Sequence, residues 1–326
     1  MGIKHLNRFL MDNCTNKSIK KQSIEFLRNK TIVIDTSIYL YKYSVNNMLI
    51  ENMYLLVSIL LKYEILPIFV FDGKSPPEKQ ELLLQRCAEK NKAEQKYNLL
   101  RERADSVSAE TDKKELLEEM ELLKKKFVRI KQSNIVKVKN LLTAYGIPHV
   151  DAPGESDVLC VNMVKKGKAW ACLSDDMDMF VYGCPRVLRY ISLQNHSVVF
   201  YDTVNILTEL NMSMKLFREI MVLSGTDYNI HDQTSLNQTI NWLYEYNRFC
   251  CDTSNKKQSF YQWLNTNTNY IQDYDHLMKT YQIFSESNDL PESIVNLSFE
   301  KKTTNFEELY KILGEYGFIC PGLNNR

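Results

Sequence analysis

Short apolar runs alternate with stretches of helical periodicity along the first 200 residues. Four runs rich in β-branched and aromatic residues predict strands at residues 31–35, 66–72, 147–152 and 169–176. Residues 186–202 predict two further strands, joined by a polar turn around Asn195. Apolar residues at helical spacing occupy residues 46–63, 134–145 and 155–167. This alternation is typical of an α/β domain with a mostly parallel central sheet flanked by helices.

Two regions depart from this alternation. Beyond residue 202, helical periodicity at 216–224, 237–246 and 306–316 predicts a helical C-terminal region. Residues 78–131 contain no proline or glycine and are rich in glutamate, lysine, leucine and glutamine, so they predict a helical insertion. The pattern by itself is also consistent with a solvated helical hairpin.

The composition is that of an ordered globular protein. With 326 residues, of which 44% are hydrophobic, the chain can bury a large core. No apolar run reaches the roughly 18 residues that a membrane-spanning helix needs, and the N-terminal segment is too short and polar for a signal peptide. The eight cysteines form no CxxC pair and have no zinc-site spacing to histidine. We therefore expect a reduced, intracellular protein of the nucleus or cytoplasm.

Charge is segregated along the chain although the net charge is only +1. Residues 74–139 hold 17 lysines and arginines against 12 acids, and the rest of the chain has an excess of acids. The bias toward asparagine, lysine, isoleucine and tyrosine indicates an AT-rich genome, such as that of a large DNA virus.

Acidic residues stand at the carboxyl ends of three of the four predicted strands and shortly after other elements. The set comprises Asp35, Asp72, Glu155, Asp157, Asp176, Asp178 and Asp227. In an open parallel sheet the carboxyl ends of the strands meet at one edge, where ligand crevices form. A single aspartate at a strand end is more often a cap or a turn residue, but three such ends favour a functional cluster.

Carboxylates that lie close together in a fold repel one another, so a cluster of them needs bound cations to neutralise its charge. Two of them about 5 Å apart repel by roughly 3 kcal/mol at an effective dielectric constant of 20. Oxygen ligands without histidine or cysteine favour Mg²⁺ or Mn²⁺. A pair of such ions about 4 Å apart is typical of phosphodiester hydrolysis. We therefore expect two Mg²⁺ ions, for which Mn²⁺ can substitute.

Six segments resemble the flap endonucleases, structure-specific 5′ nucleases of the same superfamily as the excision-repair nuclease XPG. They lie in family order at residues 1–6, 33–41, 69–86, 145–160, 173–183 and 222–229. The resemblance implies a single PIN-like 5′ nuclease domain over residues 1–326. Its nuclease core comprises residues 1–77 and 132–228, its helical arch residues 78–131, and its helical DNA-binding region residues 229–326.

The resemblance also implies roles for individual residues. It makes the seven acids metal ligands and counts Asp176 among the catalytic residues. Lys79 and Arg86 match two cations at the base of the arch, which would stabilise charge on the scissile phosphate. Asp175 is left out of the ligand set because alternate side chains of an extended backbone face opposite sides.

Further positions match residues that contact nucleic acid in the family. Tyr41 would stack on a base near the cut, which suits a sequence-tolerant enzyme. Gly2 would lie against the substrate backbone. The arch cations Lys125, Lys126 and Arg129 would contact phosphates without reading bases.

Two segments depart from the family pattern. Residues 229–246 lack the glycines of a hairpin that in relatives binds K⁺ and duplex phosphates, so we expect a degenerate helix-hairpin-helix without K⁺. Ser235 or Asn237 is expected to cap the following helix instead. No sliding-clamp peptide follows residue 316, and we expect a monomer that is not recruited through that motif.

Three functions compete. We favour a Mg²⁺-dependent nuclease that cuts at the junction of duplex DNA with a 5′ single-stranded flap or end, in replication, repair or recombination. The first alternative is an RNA nuclease of the same superfamily, either mRNA-cleaving or a 5′–3′ exoribonuclease. The second is an inactive nucleic-acid-binding scaffold, against which the seven intact acids argue.

Overall fold

The central feature is one seven-stranded sheet. The structure is a computed structural model that describes residues 3–45, 47–106, 110–230, 234–251, 258–286 and 291–318. Its strands are β1 (Ile19–Ser23), β2 (Thr31–Asp35), β3 (Leu66–Phe71), β4 (His149–Asp151), β5 (Ala171–Leu173), β6 (Arg186–Ser192) and β7 (Ser197–Asp202). They are ordered β1-β7-β6-β5-β2-β3-β4. Strands β4, β3, β2, β5 and β6 are parallel, whereas β7 is antiparallel to β6 and β1, which confirms the mostly parallel sheet.

Helices cover the sheet and form the C-terminal region. Within the described residues they are α1 (Leu6–Asn13), α2 (Thr36–Ser44), α3 (Leu49–Lys62), α4 (Gln80–Ser106), α5 (Glu110–Lys124), α6 (Gln132–Tyr145), α7 (Ser156–Lys165), α8 (Asp178–Val181), α9 (Thr203–Glu209), α10 (Met214–Leu223), α11 (Leu236–Cys251), α12 (Phe260–Asn267), α13 (Tyr274–Ser285), α14 (Glu292–Val295) and α15 (Phe306–Gly314). Short 3₁₀ helices lie at Ile24–Leu27 and Pro77–Lys79. None of the described helices has the length and apolarity needed to cross a lipid bilayer.

The sheet separates two hydrophobic cores because neighbouring strand residues point to opposite faces. Val33 and Val70 pack with α1, α7, α8 and α10 on one face. Ile34 and Phe69 pack with α2, α3, α6 and α15 on the other face. Both faces of the central strands are therefore buried, which explains why their sequences are almost continuously apolar.

The predicted helical insertion is a hairpin of α4 and α5 with a small core of its own. Leu100 and Ala104 of α4 pack against Met120 and Leu123 of α5. The ring centroids of Tyr97 and Phe127 lie 5.3 Å apart at the base of this core. Because α4 has 27 residues at about 1.5 Å per residue, it extends some 40 Å.

Several elements differ from the prediction, either because they were missed or because they are shorter than expected. Strand β1 contains Lys20, Lys21 and Gln22 in succession and so lacks apolar alternation, but it pairs with β7 at the sheet edge. Strands β4 and β5 are each three residues long and therefore shorter than predicted. Helices α1, α12 and α13 lie in segments for which the periodicity suggested no separate element.

Candidate metal centre and nucleic-acid interface

The seven predicted acids lie at the carboxyl edge of the parallel strands or at helix ends beside it. Asp35 is the last residue of β2, Asp72 directly follows β3, and Asp176 follows β5. Asp178 begins α8, Asp227 follows α10, and α7 starts between Glu155 and Asp157. Asp35, Asp176 and Asp178 are buried, whereas Asp72 is exposed at the rim and the other three are half-buried. The sheet topology thus brings acids from five chain segments to one edge.

Serine side chains hold the first two acids in place. Ser156 at the start of α7 donates from its backbone N to Asp72 Oδ1 at 2.8 Å and from Oγ to Asp35 Oδ1 at 3.0 Å. Ser174 Oγ donates to Asp35 Oδ2 at 3.1 Å. Ser37 Oγ donates to Asp72 Oδ2. These bonds join β2, β3, α7 and the loop after β5 around two carboxylates.

The acids are close enough to raise one another's pKa. Burial and the charge of Asp72 raise the pKa of Asp35 to about 7. Loss of solvent, together with Asp35 and Asp176, raises the pKa of Asp157 well above its usual range. Burial, together with Asp176 and Asp227, does the same for the pKa of Asp178. This mutual repulsion is evidence that the acids converge.

Two basic side chains at the start of the insertion reach into this cluster. Lys79 Nζ lies 2.7 Å from Glu155 Oε1, and Arg86 Nη2 lies 2.8 Å from Asp227 Oδ2. Lys79 is 7% exposed. Burial alone would lower the pKa of Lys79, but the Glu155 carboxylate raises it above its usual range. Lys79 therefore stays cationic within the acidic cluster.

The donor set fits a hard metal ion, although the acids are not yet gathered around one point. Among the described residues, no three Asp, Glu, His or Cys side chains are placed to hold an ion together. Glu155 and Asp227 are instead engaged by Lys79 and Arg86. Asp178 Oδ1 is buried without a hydrogen-bond partner. Carboxylate oxygens alone, one of them unsatisfied, match the preference of Mg²⁺.

Comparisons with known proteins show which family the chain belongs to. Residues 1–93 match the XPG N-terminal domain and residues 146–227 match the XPG I-region. Flap endonuclease 1 of Methanococcus aeolicus is 31% identical over 238 residues, which cover 66% of this chain and 68% of the relative. The chain belongs to the flap endonuclease family. The resemblance stated from the sequence is thereby confirmed.

A plant flap endonuclease is similar to this chain to about the same degree. Flap endonuclease 1 of Glycine max is 32% identical over 247 residues, which cover 70% of this chain and 62% of the plant protein. The chain thus spans about three fifths of the length of that flap endonuclease.

Solved structures confirm the fold. The catalytic core of Rad2 in complex with a DNA substrate aligns with a TM-score of 0.67 and 20% identity, over 96% of this chain and 95% of that one. Flap endonuclease-1 from Methanococcus jannaschii aligns with a TM-score of 0.59 and 24% identity, over 91% and 90% of the two chains. The predicted PIN-like 5′ nuclease fold of this chain is therefore correct.

The predicted stacking residue is partly covered by a lysine that the sequence analysis did not single out. Tyr41 on α2 is 42% exposed. Lys90 Nζ lies 4.7 Å from the centroid of the Tyr41 ring. Lys90 follows Arg86 by four residues on α4 and so lies on the same side of the helix. This helical spacing from Arg86 is the signal from which the sequence could have identified Lys90.

The three predicted arch cations differ in their surroundings. Lys125 and Lys126 are exposed just beyond α5. Arg129 is instead tied to α4, because Nη1 lies 2.7 Å from Glu94 Oε2 and Nη2 donates to Asn91 Oδ1 at 2.7 Å. Their role in binding nucleic acid stays a prediction.

Two predictions concern residues outside the cluster. Asp175 Oδ1 accepts a hydrogen bond from Tyr190 N at 2.7 Å, so the side chain of this acid, which was left out of the predicted ligand set, faces β6. Ser235 caps α11, since its Oγ accepts from Gln238 N at 3.5 Å and its carbonyl accepts from Thr239 N at 2.9 Å. Gly2 lies outside the described residues.

Tyr228 is a residue of the centre to which the sequence assigned no role. Its hydroxyl donates to Glu155 Oε2 at 2.5 Å. Lys79 Nζ lies 4.6 Å from the centroid of the Tyr228 ring. Tyr228 therefore orients both members of the Lys79–Glu155 ion pair, and its position directly after Asp227 was the only signal of this role.

Proposed function

We propose that the chain is a Mg²⁺-dependent, structure-specific nuclease. It hydrolyses a phosphodiester bond at or near the junction of duplex DNA with a 5′ single-stranded flap or end. The observation that carries this proposal is the convergence of seven acids at one sheet edge, with Lys79 and Arg86 at its rim. The acids provide hard oxygen donors and the two cations provide partners for a phosphate.

Two metal ions would account for the number of acids. Asp35, Asp72, Glu155 and Asp157 would hold one ion, and Asp176, Asp178 and Asp227 the other, with Mn²⁺ able to replace Mg²⁺. When bound, the ions supply an activated water and neutralise charge on the phosphate. A further structure with Mg²⁺ and product DNA exists for GEN1, which shares the fold.

The side chains of the chain itself would bind and orient the substrate. Lys79 and Arg86, which pair with Glu155 and Asp227 in this structure, would instead bind oxygens of the scissile phosphate. Their positive charge then stabilises the charge that develops in the transition state. Asp176, buried between β5 and α8, stays within the centre throughout.

The insertion and the stacking residue would place the single strand. Residues 78–131 act as the arch over the nuclease core formed by 1–77 and 132–228, and residues 229–326 contact the DNA. Tyr41 stacks on a base once Lys90 leaves its ring. Lys125 and Lys126, which are exposed, attract the phosphates. The protein acts as a monomer in the nucleus or cytoplasm.

An RNA nuclease is the second candidate because the loop before α11 lacks the glycines of a duplex-binding hairpin. Ser235 instead uses its side chain to cap that helix. This feature weakens duplex binding but leaves the acid cluster unchanged.

Labelled 5′-flap DNA and a matched RNA, incubated with the protein and Mg²⁺, test the proposal. We expect cleavage of the DNA near the junction, its loss in EDTA, and its loss in Asp176→Ala. Asp175→Asn is the matched control, since the adjacent Asp175 faces β6 and should leave cleavage unchanged. Preferred cleavage of RNA would favour the second candidate, and activity that survives in Asp176→Ala would reject a role for the acid cluster.

A further inference from the structure

A cavity of about 360 Å³ opens beside the acid cluster. Its walls are mostly apolar and come from five separate segments of the chain. The residues that form them include Pro76, Pro153, Leu159, Tyr182, Tyr228 and Ile283. Glu155, a predicted metal ligand, also lines it, so the cavity is continuous with the centre. None of the roles proposed above uses this space.

The charges around the cavity disfavour a phosphate as its occupant, because the carboxylates outnumber the lysines even when the pairing of Glu155 with Lys79 is counted. Three glutamates, Glu78, Glu155 and Glu286, line the cavity, and Lys74 is the basic residue of the lining. An acidic lining repels a phosphodiester but accepts hydrogen bonds from amino groups. Apolar walls with two tyrosine rings favour a flat, uncharged ring.

The cavity and Tyr41 lie on opposite sides of the acid cluster. Tyr41 belongs to α2, which packs on the sheet face that also carries α3 and α6. Leu159 of α7, Tyr182 and Tyr228 belong to the core on the other face. The acids stand at the sheet edge between the two faces. A strand whose phosphate lies at the acids thus has a surface for a ring on either side.

We propose that this cavity binds a nucleobase of the cleaved strand, on the opposite side of the scissile phosphate from the base stacked on Tyr41. The inference rests on the proposed nuclease function and extends it to the substrate. Bases with an exocyclic amino group, namely adenine, cytosine and guanine, bind there in preference to thymine because Glu78 and Glu286 accept hydrogen bonds from that group. The enzyme therefore has a mild base preference at one position beside the cut.

Abasic substitution tests the proposal. Flap substrates carry one abasic site at each nucleotide flanking the cut, and kcat/KM is measured for wild type, Tyr41→Ala and Ile283→Trp. Two positions should be sensitive in the wild type, each by about tenfold, as expected for losing one buried base. Tyr41→Ala should lose sensitivity at one position. Ile283→Trp, which fills the cavity from α13, should lose it at the other.

Matched variants control for indirect effects. Met278→Trp adds the same ring to an exposed position of α13 outside the cavity and should keep both sensitive positions. The double variant Glu78→Gln and Glu286→Gln should reduce the preference for cytosine over thymine at the cavity position. This measurement decides the matter if Ile283→Trp fails to fold, as judged by its circular dichroism and Tm.

The outcomes separate this proposal from the proposed function. A wild type that cleaves no flap, end or RNA substrate contradicts the nuclease function itself. A wild type that cleaves flaps, but responds equally to cytosine and thymine and keeps both sensitive positions in Ile283→Trp, contradicts the cavity proposal alone.

Discussion

At the level of single residues, hydrogen bonds from several elements hold two of the acids, Asp35 and Glu155, in place. Asp35 accepts from Ser156 and Ser174, which lie on separate elements. Glu155 is held on one oxygen by Lys79 and on the other by Tyr228. Asp35 and Glu155 thus have defined orientations.

Tyr228→Phe tests this orientation. The variant removes the hydroxyl bonded to Glu155 Oε2 but keeps the ring beside Lys79. Loss of a partner that orients a metal ligand typically costs about tenfold or more in metal affinity. Calorimetric titration with Mg²⁺ should show weaker binding. Tyr182→Phe, whose hydroxyl contacts Tyr228 rather than Glu155, is the control and should bind nearly as tightly as wild type.

Glu219 on α10 is a buried acid away from the centre, and its pKa predicts a pH effect on stability. Burial raises the pKa of Glu219, although Lys215 opposes the shift. The folded protein therefore binds a proton more tightly than the unfolded chain, so the free energy of unfolding falls as pH rises through the usual glutamate pKa to the raised one. Glu219→Gln should be more stable than wild type at pH 8, and this gain should shrink on acidification. Urea unfolding at several pH values measures it; a gain that does not depend on pH would contradict the buried charge.

At the level of elements, the α4–α5 hairpin is stabilised by its own small core. Leu100, Ala104, Met120 and Leu123 bury little area compared with the two cores of the sheet. Ion pairs such as Lys96–Glu119, at 2.6 Å and largely exposed, add little. The hairpin should therefore open at a lower free energy than the sheet.

Leu100→Ala should loosen the hairpin without unfolding the sheet. Removing a buried leucine side chain costs about 2 to 5 kcal/mol locally. Hydrogen exchange should speed up within α4 and α5 and stay unchanged in β2 and β3. Leu84→Ala, at a position that is 72% exposed, is the control and should change neither. Equal acceleration in the central strands would show that the hairpin and the sheet unfold together.

At the level of the whole molecule, the C-terminal segment crosses back onto the sheet domain. Lys302 N donates to Gly146 O and Asn305 N donates to Ala144 O, both at 2.8 Å. Leu309 and Leu313 of α15 then bury in the core beneath α6. Gly146 allows this approach, because a Cβ there would lie 2.3 Å from Lys302 O.

Gly146→Ala should therefore destabilise the protein more than a glycine substitution with backbone strain alone. Gly146 and Gly167 both have φ of +73°, but a Cβ at Gly167 would meet no atom within 4 Å. We expect Gly167→Ala to cost about 1 kcal/mol and Gly146→Ala clearly more. Thermal unfolding of the two variants compares them directly. Equal losses of stability in the two variants would mean that the C-terminal segment moves away from the added Cβ of Gly146→Ala without a cost in free energy.

Metal binding should stabilise the whole fold because the acids belong to several elements. A ligand present at 100 times its Kd adds about 2.7 kcal/mol to the free energy of unfolding. Mg²⁺ should thus raise Tm relative to EDTA, and Asp178→Asn should reduce that rise. K⁺ at the same ionic strength controls for salt. A Tm that does not change when Mg²⁺ is added would contradict a metal centre.

The sequence alone determined the central strands of the sheet and the acids that stand at their carboxyl ends. The central strands are apolar on both faces, and parallel strands end at one edge, so acids such as Asp35, Asp72 and Asp176 had to meet there. Strand β1 was not predicted because it lies at the sheet edge, where polar residues are tolerated on both faces and no apolar alternation is needed.

Only the tertiary structure decided which side chains contact these acids. The bonds of Ser156 and Ser174 to Asp35, and the Lys79–Glu155 pair, join residues 76 to 139 positions apart. Hydrogen bonds and ion pairs depend on tenths of an ångström and on rotamers, which follow from how helices pack on the sheet. Periodicity and residue type specify which face is buried, but not these distances. The cavity beside Glu155 arises in the same way, from loops and helices that meet only in the folded chain.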